Sequence, residues 1–499
     1  MPWLTILVAL PLLGAGGAGV FKGKTRQLIG IVTASITLIL AIFLVIFRAD
    51  LDEDYHWISQ IGSHYALKLD GLSSLLVLVA VVLVVAVILV RWRSAGSLSN
   101  FVPLALALEG VALLTFIAND VFLFFLAFEA TLVPIYFMIG LGGDPKRTKA
   151  ALKFVIYQLA GGLVFLGGLI YLIIQAAEQP QPSLLFDDLS ALALPIGAQQ
   201  ALCLVFFLPF AVKAPLVPVH SWLPDVIERG RTSASMLLVG LLDGLGIYGM
   251  VRFCFGLTPQ AITWAAGGFA IVGLVSIIYG ALAAISSTNL MRIVAFASIS
   301  HTGMMILGIF ALTTASLTGA LTYLAAHGLS GAALVLTAGR VLRRRSGELA
   351  RGSFGGLANS MPVLAGFFLI AGLATLALPG TFNFAAELPL LLGTWSRYPV
   401  LAALALIGVL AAGVYILWAY QRIFNGPAVD RDGNPVTDVD ALKASGRKDL
   451  PMTARWAIGS ILALLLVFGL VPGLTQQMVS DNVTTIMTQV QISDPEAGG

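Results

Sequence analysis

The sequence predicts an all-α integral membrane protein with about fourteen transmembrane helices. Hydrophobic residues fill 58% of its 499 positions and charged residues 11%, whereas a soluble domain carries about 25% charged residues. The apolar residues fall in repeated runs of about twenty, the length a helix needs to cross about 30 Å of hydrocarbon. Runs such as Leu72–Val90 do not alternate apolar with polar residues, as the strands of a membrane barrel would.

Hydropathy places the spans at about 3–20, 28–47, 71–92, 101–118, 120–142, 150–175, 200–223, 233–255, 261–286, 290–312, 316–340, 361–395, 399–424 and 454–471. The first lacks a basic leader and a small-residue cleavage site, so it reads as a retained helix. The twelfth is too long for one straight crossing. Of the 28 lysines and arginines, all but five lie in odd-numbered connections; Arg48, Lys68, Arg252 and Arg397 lie in even ones, and Lys213 lies within a span. Inside loops hold the excess of positive charge, so both termini are expected outside. The acidic outside stretch Asp50–Asp70, with His56 and His64, reads as a solvated cap. Asn425–Asp449 reads as an ordered or semi-ordered inside loop before the last helix. A net charge of +3 without a basic, aromatic-laced stripe argues against nucleic acid. Cys203 and Cys254 lack metal-ligand spacing and read as small buried hydrophobes.

A charged side chain at the bilayer centre costs at least about 2.5 kcal/mol, so each one needs a partner, a hydrated cavity or a function. The candidates are Glu109, Glu129, Lys213, Asp243, His301, His327 and Glu387. In Leu208–Asp225, LPFAVKAPLVPVHSWLPD, four prolines surround Lys213. Proline removes an amide donor and clashes with the preceding turn, so this helix must break at membrane depth. Such a break survives only where protein or water satisfies the freed carbonyls. Leu378–Leu392, LPGTFNFAAELPLLL, repeats the device with Pro379, Gly380 and Pro389 around Glu387. Two interrupted helices, the seventh and twelfth, five spans apart and each with an ionisable group, predict two five-helix repeats over spans 4–8 and 9–13. Because five is odd, the repeats are inverted. The corresponding division is 1–100, 101–257, 258–426 and 427–499. Taken singly, His301 and His327 fit either a relay or a neutral core histidine, and Glu109 fits a structural or an auxiliary role.

Together these motifs resemble the antiporter-like membrane subunits of complex I, of the NuoM/NdhD type, which are also similar to subunits of multi-subunit cation/proton antiporters. The resemblance covers about residues 70–470. FFLAFEATLVPIYFMIG carries the family's fifth-helix glutamate at Glu129, and AVKAPLVPVHSWLPD its seventh-helix lysine at Lys213. RIVAFASISHTGMMILGI and YLAAHGLSGAAL carry histidines at His301 and His327. LPGTFNFAAEL carries the twelfth-helix ionisable residue as Glu387, where other branches typically place lysine.

The resemblance implies proton translocation. Glu129 would pair with Lys213 at rest, and the proton would pass His301 and His327 to Glu387, with auxiliary roles for Glu109, Asp243 and His220. It also implies that FMN, Fe–S clusters and quinone belong to partner subunits, where quinone is reduced by NADH or ferredoxin; the chain itself shows no CxxC cluster, P-loop or dinucleotide fingerprint. Expected partners are the other membrane subunits of complex I, including neighbouring antiporter-like subunits, and the lipid bilayer of a bacterial inner membrane or thylakoid.

Two departures stand out. After WLPD the family's HxEAP-like turn is replaced by Val226–Arg231, and its eighth-helix lysine aligns with Gly244. Asp243 precedes that position, but successive helix positions point about 100° apart, so Asp243 reads as a partner for Arg252 or as polar helix packing. A water chain, a neighbouring group or weak pumping would each account for the gap. The other readings are a subunit of a multi-subunit sodium/proton antiporter, which usually has lysine where Glu387 stands, and a weakly pumping or scaffolding paralogue.

Overall fold

A computed structural model describes residues 2–47, 51–92, 100–140, 145–343, 356–426 and 449–495. Among these, twelve helices are long and apolar enough to cross a membrane, and two shorter apolar helices, Phe101–Ile117 and Pro362–Thr375, join them. The short ones fall on the expected fourth span and on the first half of the twelfth. That twelfth segment resolves into two pieces, Pro362–Thr375 and Phe382–Arg397, with left-handed Ala377 and Gly380 in the break. The fifth span, Val121–Gly140, is interrupted as well, at Thr131. Its cause is Pro134, which offers no amide to the Ala130 carbonyl one turn earlier. The seventh stops at Lys213 and resumes as the short helix Trp222–Arg229. The eighth, Thr232–Phe255, carries two π-helical turns, Leu238–Leu242 and Val251–Phe255.

The tenth and eleventh spans, Leu290–Phe310 and Thr314–Arg343, run through the centre of the bundle. The sixth, ninth and thirteenth, Pro145–Ala177, Pro259–Ser286 and Pro399–Phe424, present large apolar side chains such as Leu163, Leu282 and Leu410 outward. Lipid or neighbouring subunits can cover such a face without burying polar groups.

Even-numbered connections gather at one end. There Asp52–Ile58 and Ser63–Lys68 form an antiparallel hairpin, whose first strand is largely exposed to solvent and whose second packs inward. Glu53 is buried and takes the amides of Leu4 and Thr5, capping the first helix. Asp120 caps the fifth span through the amides of Phe122 and Leu123 and also accepts from Ser63 and His64. Unpaired amides at a helix start favour such carboxylates. His56 is exposed, while His64 is half-buried and bonds Asp54 at 2.7 Å.

A further helix, Gly473–Val490, follows the fourteenth span, Met452–Leu470, and lies across this same end. Asn482 accepts the Leu72 amide at 2.9 Å, Gln476 donates to the Ala385 carbonyl at 3.2 Å, and Asp494 accepts the Thr314 amide at 2.8 Å. The start of the first helix and Asp494 therefore both lie at the hairpin end. At the opposite end Arg340 donates to the Val90 carbonyl and Lys153 pairs with Asp225 at 2.7 Å. Most of the expected inside loop Asn425–Asp449 lies outside the described residues; Asp449 itself accepts the amides of Val363 and Leu364.

Candidate functional site

Lys213 is the last residue of its helix, 1% exposed, where the negative end of the helix dipole favours a cation. Its amine donates to the Phe128 carbonyl at 2.8 Å and to the Thr131 hydroxyl at 2.9 Å, and it sits 3.5 Å over the Phe128 ring. The fifth-span interruption supplies both acceptors, and Thr131 in turn donates to Phe128 at 2.7 Å. Protein groups also satisfy the seventh-span break: the Trp222 indole donates to the Val212 carbonyl at 2.9 Å, and Val217 donates to Ser276 at 3.0 Å. The expected Lys213–Glu129 ion pair is not formed. Glu129 is half-buried, and its carboxylate lies over Gly162 of the sixth span, where a Cβ would come within 2.6 Å of it. The amine instead holds groups one residue before and two residues after the glutamate.

The central spans join the other candidates. Asp243 is fully buried and accepts the Ser298 hydroxyl at 2.8 Å; Ser298 bonds His327 Nε2 at 3.2 Å. The His327 and His301 ring centroids are 5.6 Å apart. His301 Nδ1 bonds the Tyr323 hydroxyl at 2.8 Å, and Tyr323 donates to Glu387 at 2.9 Å. A cavity of about 10 Å³ lies between His301, Thr375 and Glu387, enough for about one water. Arrays of carboxylates, hydroxyls and imidazoles in this order pass protons by short shifts along hydrogen bonds.

Residues 118–413 match the family described as NADH:quinone oxidoreductase/Mrp antiporter, transmembrane. The chain belongs to this family. It is 34% identical to NADH-quinone oxidoreductase subunit M of Mycobacterium tuberculosis, over 99% of this chain and 96% of that protein. It is 35% identical to NAD(P)H-quinone oxidoreductase chain 4 1 of a Synechococcus, over 85% and 83% respectively. Among solved structures it is similar to a chain of respiratory complex I from Thermus thermophilus with bound NADH, with a TM-score of 0.87, 30% identity, and coverage of 98% and 99%.

In this antiporter-family chain the remaining candidates stand apart from one another. Glu109 is fully buried in Phe101–Ile117, and neither carboxylate oxygen has a protein partner. His220, beyond the seventh-span break, packs edge-on to Tyr279 at 4.7 Å. Arg252 pairs with Asp70 at 3.1 Å and donates to Asn119 at 3.2 Å, so it is not the partner of Asp243. In the altered segment after WLPD, Glu228 accepts from Arg292 at 2.9 Å and from Asn289 at 3.2 Å, fixing it to the start of the tenth span. Cys254 donates to the Cys203 carbonyl at 3.8 Å, and both cysteines are buried and free. Among the described residues no cluster of three or more His, Cys, Asp or Glu is grouped as metal ligands would be.

Sequence reasoning missed Thr131, Trp222, Ser298 and Tyr323. Pro134 was an available signal for the first. For the hydroxyls of Ser298 and Tyr323, the only trace was their position within four residues of His301 and His327.

Proposed function

We propose that this chain translocates protons as one antiporter-like subunit of a complex I, coupled to quinone reduction carried out by partner subunits that hold FMN and Fe–S clusters. The observation that carries this reading is the buried polar chain from Asp243 to Glu387 beside a Lys213 helix break. The names of the full-length relatives point the same way. The charge distribution supports a bacterial inner membrane or thylakoid with both termini on the periplasmic or lumenal side, and the electron donor is NADH or ferredoxin. The breaks in the seventh and twelfth spans, five spans apart, support a first repeat at 101–257 and an inverted second repeat at 258–426, flanked by 1–100 and 427–499.

In the cycle, Lys213 leaves Phe128 and Thr131 to join Glu129, and later returns. At about 4 Å and an effective dielectric near 20, that pair is worth about 4 kcal/mol. Moving one proton against about 150–200 mV requires about 3.5–4.6 kcal/mol, so closing or opening one pair is of the right size. Glu129, Lys213, His301, His327 and Glu387 carry the proton, with Glu109 and His220 auxiliary. In proteoliposomes, a complex with Lys213→Ala is expected to transfer electrons while pumping fewer protons per electron; undiminished pumping removes this chain from the proton path. Co-purification with hydrophilic redox subunits, as opposed to an all-membrane assembly, separates complex I from a sodium/proton antiporter.

A further inference from the structure

The eighth span is pressed between two others by bare backbone. A Cβ on Gly246 would come within 2.6 Å of the Ala214 nitrogen, next to Lys213, and one on Gly240 within 3.0 Å of the Gly328 carbonyl, next to His327. Asp243 lies three residues from each glycine in the sequence. The π-helical turn Leu238–Leu242 ends immediately before it, and such turns re-aim the residues that follow. The helix that carries Asp243 thus packs against the Lys213 break, and Ser298 links Asp243 to His327. One carboxylate oxygen takes the Ser298 hydroxyl, and the other, buried, has no protein partner.

A hydroxyl has one hydrogen to give. When Asp243 is ionised, Ser298 gives its hydrogen to the carboxylate, and His327 Nε2 then donates to Ser298. Tyr323 gives its hydrogen to Glu387, so His301 Nδ1 must donate to Tyr323. Both half-chains thus donate away from the middle, and the nitrogens left without protein partners are His327 Nδ1 and His301 Nε2. Placing a proton on Asp243 reverses the first half. The carboxyl then donates to Ser298, and Ser298 to His327 Nε2, which leaves the histidine's own proton on Nδ1. Donors now point one way in both halves, from Asp243 to His327 and from His301 to Glu387, and the step between the two rings, whose centroids are 5.6 Å apart with no direct hydrogen bond, falls to a bridging water. One proton leaves the Asp243 carboxyl, each intervening group receives one and passes one on, and one arrives at Glu387.

Resting on the proton-translocation reading above, we propose that Asp243 is the proton-holding group of the eighth span, and that its protonation sets the direction of the chain Ser298–His327–His301–Tyr323–Glu387. A carboxylate here takes the place of an amine at the neighbouring position, Gly244.

The test uses the assembled complex in proteoliposomes, with protons per electron as one readout and the carboxyl C=O band in an infrared difference spectrum as the other. Asp243→Asn is expected to lose the same increment of pumping as Lys213→Ala and to lose one carboxyl band. Asp243→Glu is expected to restore both. Ser298→Ala, which keeps the carboxylate, is expected to shift that band and to reduce pumping, and it serves as the variant of record should Asp243→Asn not assemble. Full pumping with Asp243→Asn, or with Ser298→Ala in its place, alongside a defective Lys213→Ala overturns this inference and leaves the broader reading standing. Full pumping in all variants overturns both. Loss of pumping with no change in any carboxyl band shows a structural role and also overturns the inference.

Discussion

The broken seventh and twelfth helices hold their ionisable groups in opposite ways. Around Lys213 protein groups hold the amine and part of the break: the amine has two neutral acceptors and an aromatic face, and Trp222 takes the freed Val212 carbonyl. Around Glu387 the carboxylate is one end of a hydrogen-bonded series, next to a water-sized cavity. A saturated amine must break bonds before its proton can move. The carboxylate needs only a hydroxyl and an imidazole to shift hydrogens. The first region is built to hold and release, the second to conduct.

Tyr323→Phe attacks this contrast most directly. It removes the one hydroxyl joining His301 to Glu387, and leaving buried partners unpaired costs about 1–3 kcal/mol, more for a charged group; protons pumped per electron should fall to the level of the Lys213→Ala complex. Thr131→Val removes one of the two acceptors of the Lys213 amine, a hydrogen bond to a charged group worth about 1.5–3 kcal/mol. Pumping by this variant should change its dependence on membrane potential, measured as the pumping rate against an imposed gradient, because Lys213 leaves its resting site more easily. Trp222→Phe orphans the Val212 carbonyl at a cost of about 1–3 kcal/mol, which should lower the unfolding temperature of the complex while electron transfer persists. Gly244→Ala should do least. A Cβ there meets nothing nearer than a Leu324 methyl at 3.9 Å, so pumping should be unchanged and stability should rise by about 0.5–1 kcal/mol.

Span positions were legible because twenty apolar residues in a row have few other uses. The interruptions in the seventh and twelfth spans were legible from proline and glycine. The interruption in the fifth rests on Pro134 alone and was passed over. The list of buried ionisable residues was readable too, but not their pairing. The pairing of Glu129 with Lys213 was implied by the family resemblance alone, and whether the amine takes a carboxylate, a carbonyl or a hydroxyl depends on fractions of an ångström that no spacing encodes. Asp243 shows the same limit: counting 100° per residue assumes an unbroken α-helix, and a π-helical turn sits just before it. The hairpin Asp52–Lys68 was hidden because its partners, the first helix and Asp120, are distant in sequence. The helix Gly473–Val490 did leave a trace in Val479, Val483, Ile486 and Val490, a buried stripe at spacings of three and four.

That last helix has a mechanical consequence. Gly71 has no side chain, so the third span can bring its start against the Met478 carbonyl, and the same strap reaches Ala385 and, through the residues after it, Thr314 and Arg397. The helix is thereby a clasp on the third, eleventh and twelfth spans at the hairpin end, so a single break in it would loosen three spans at once.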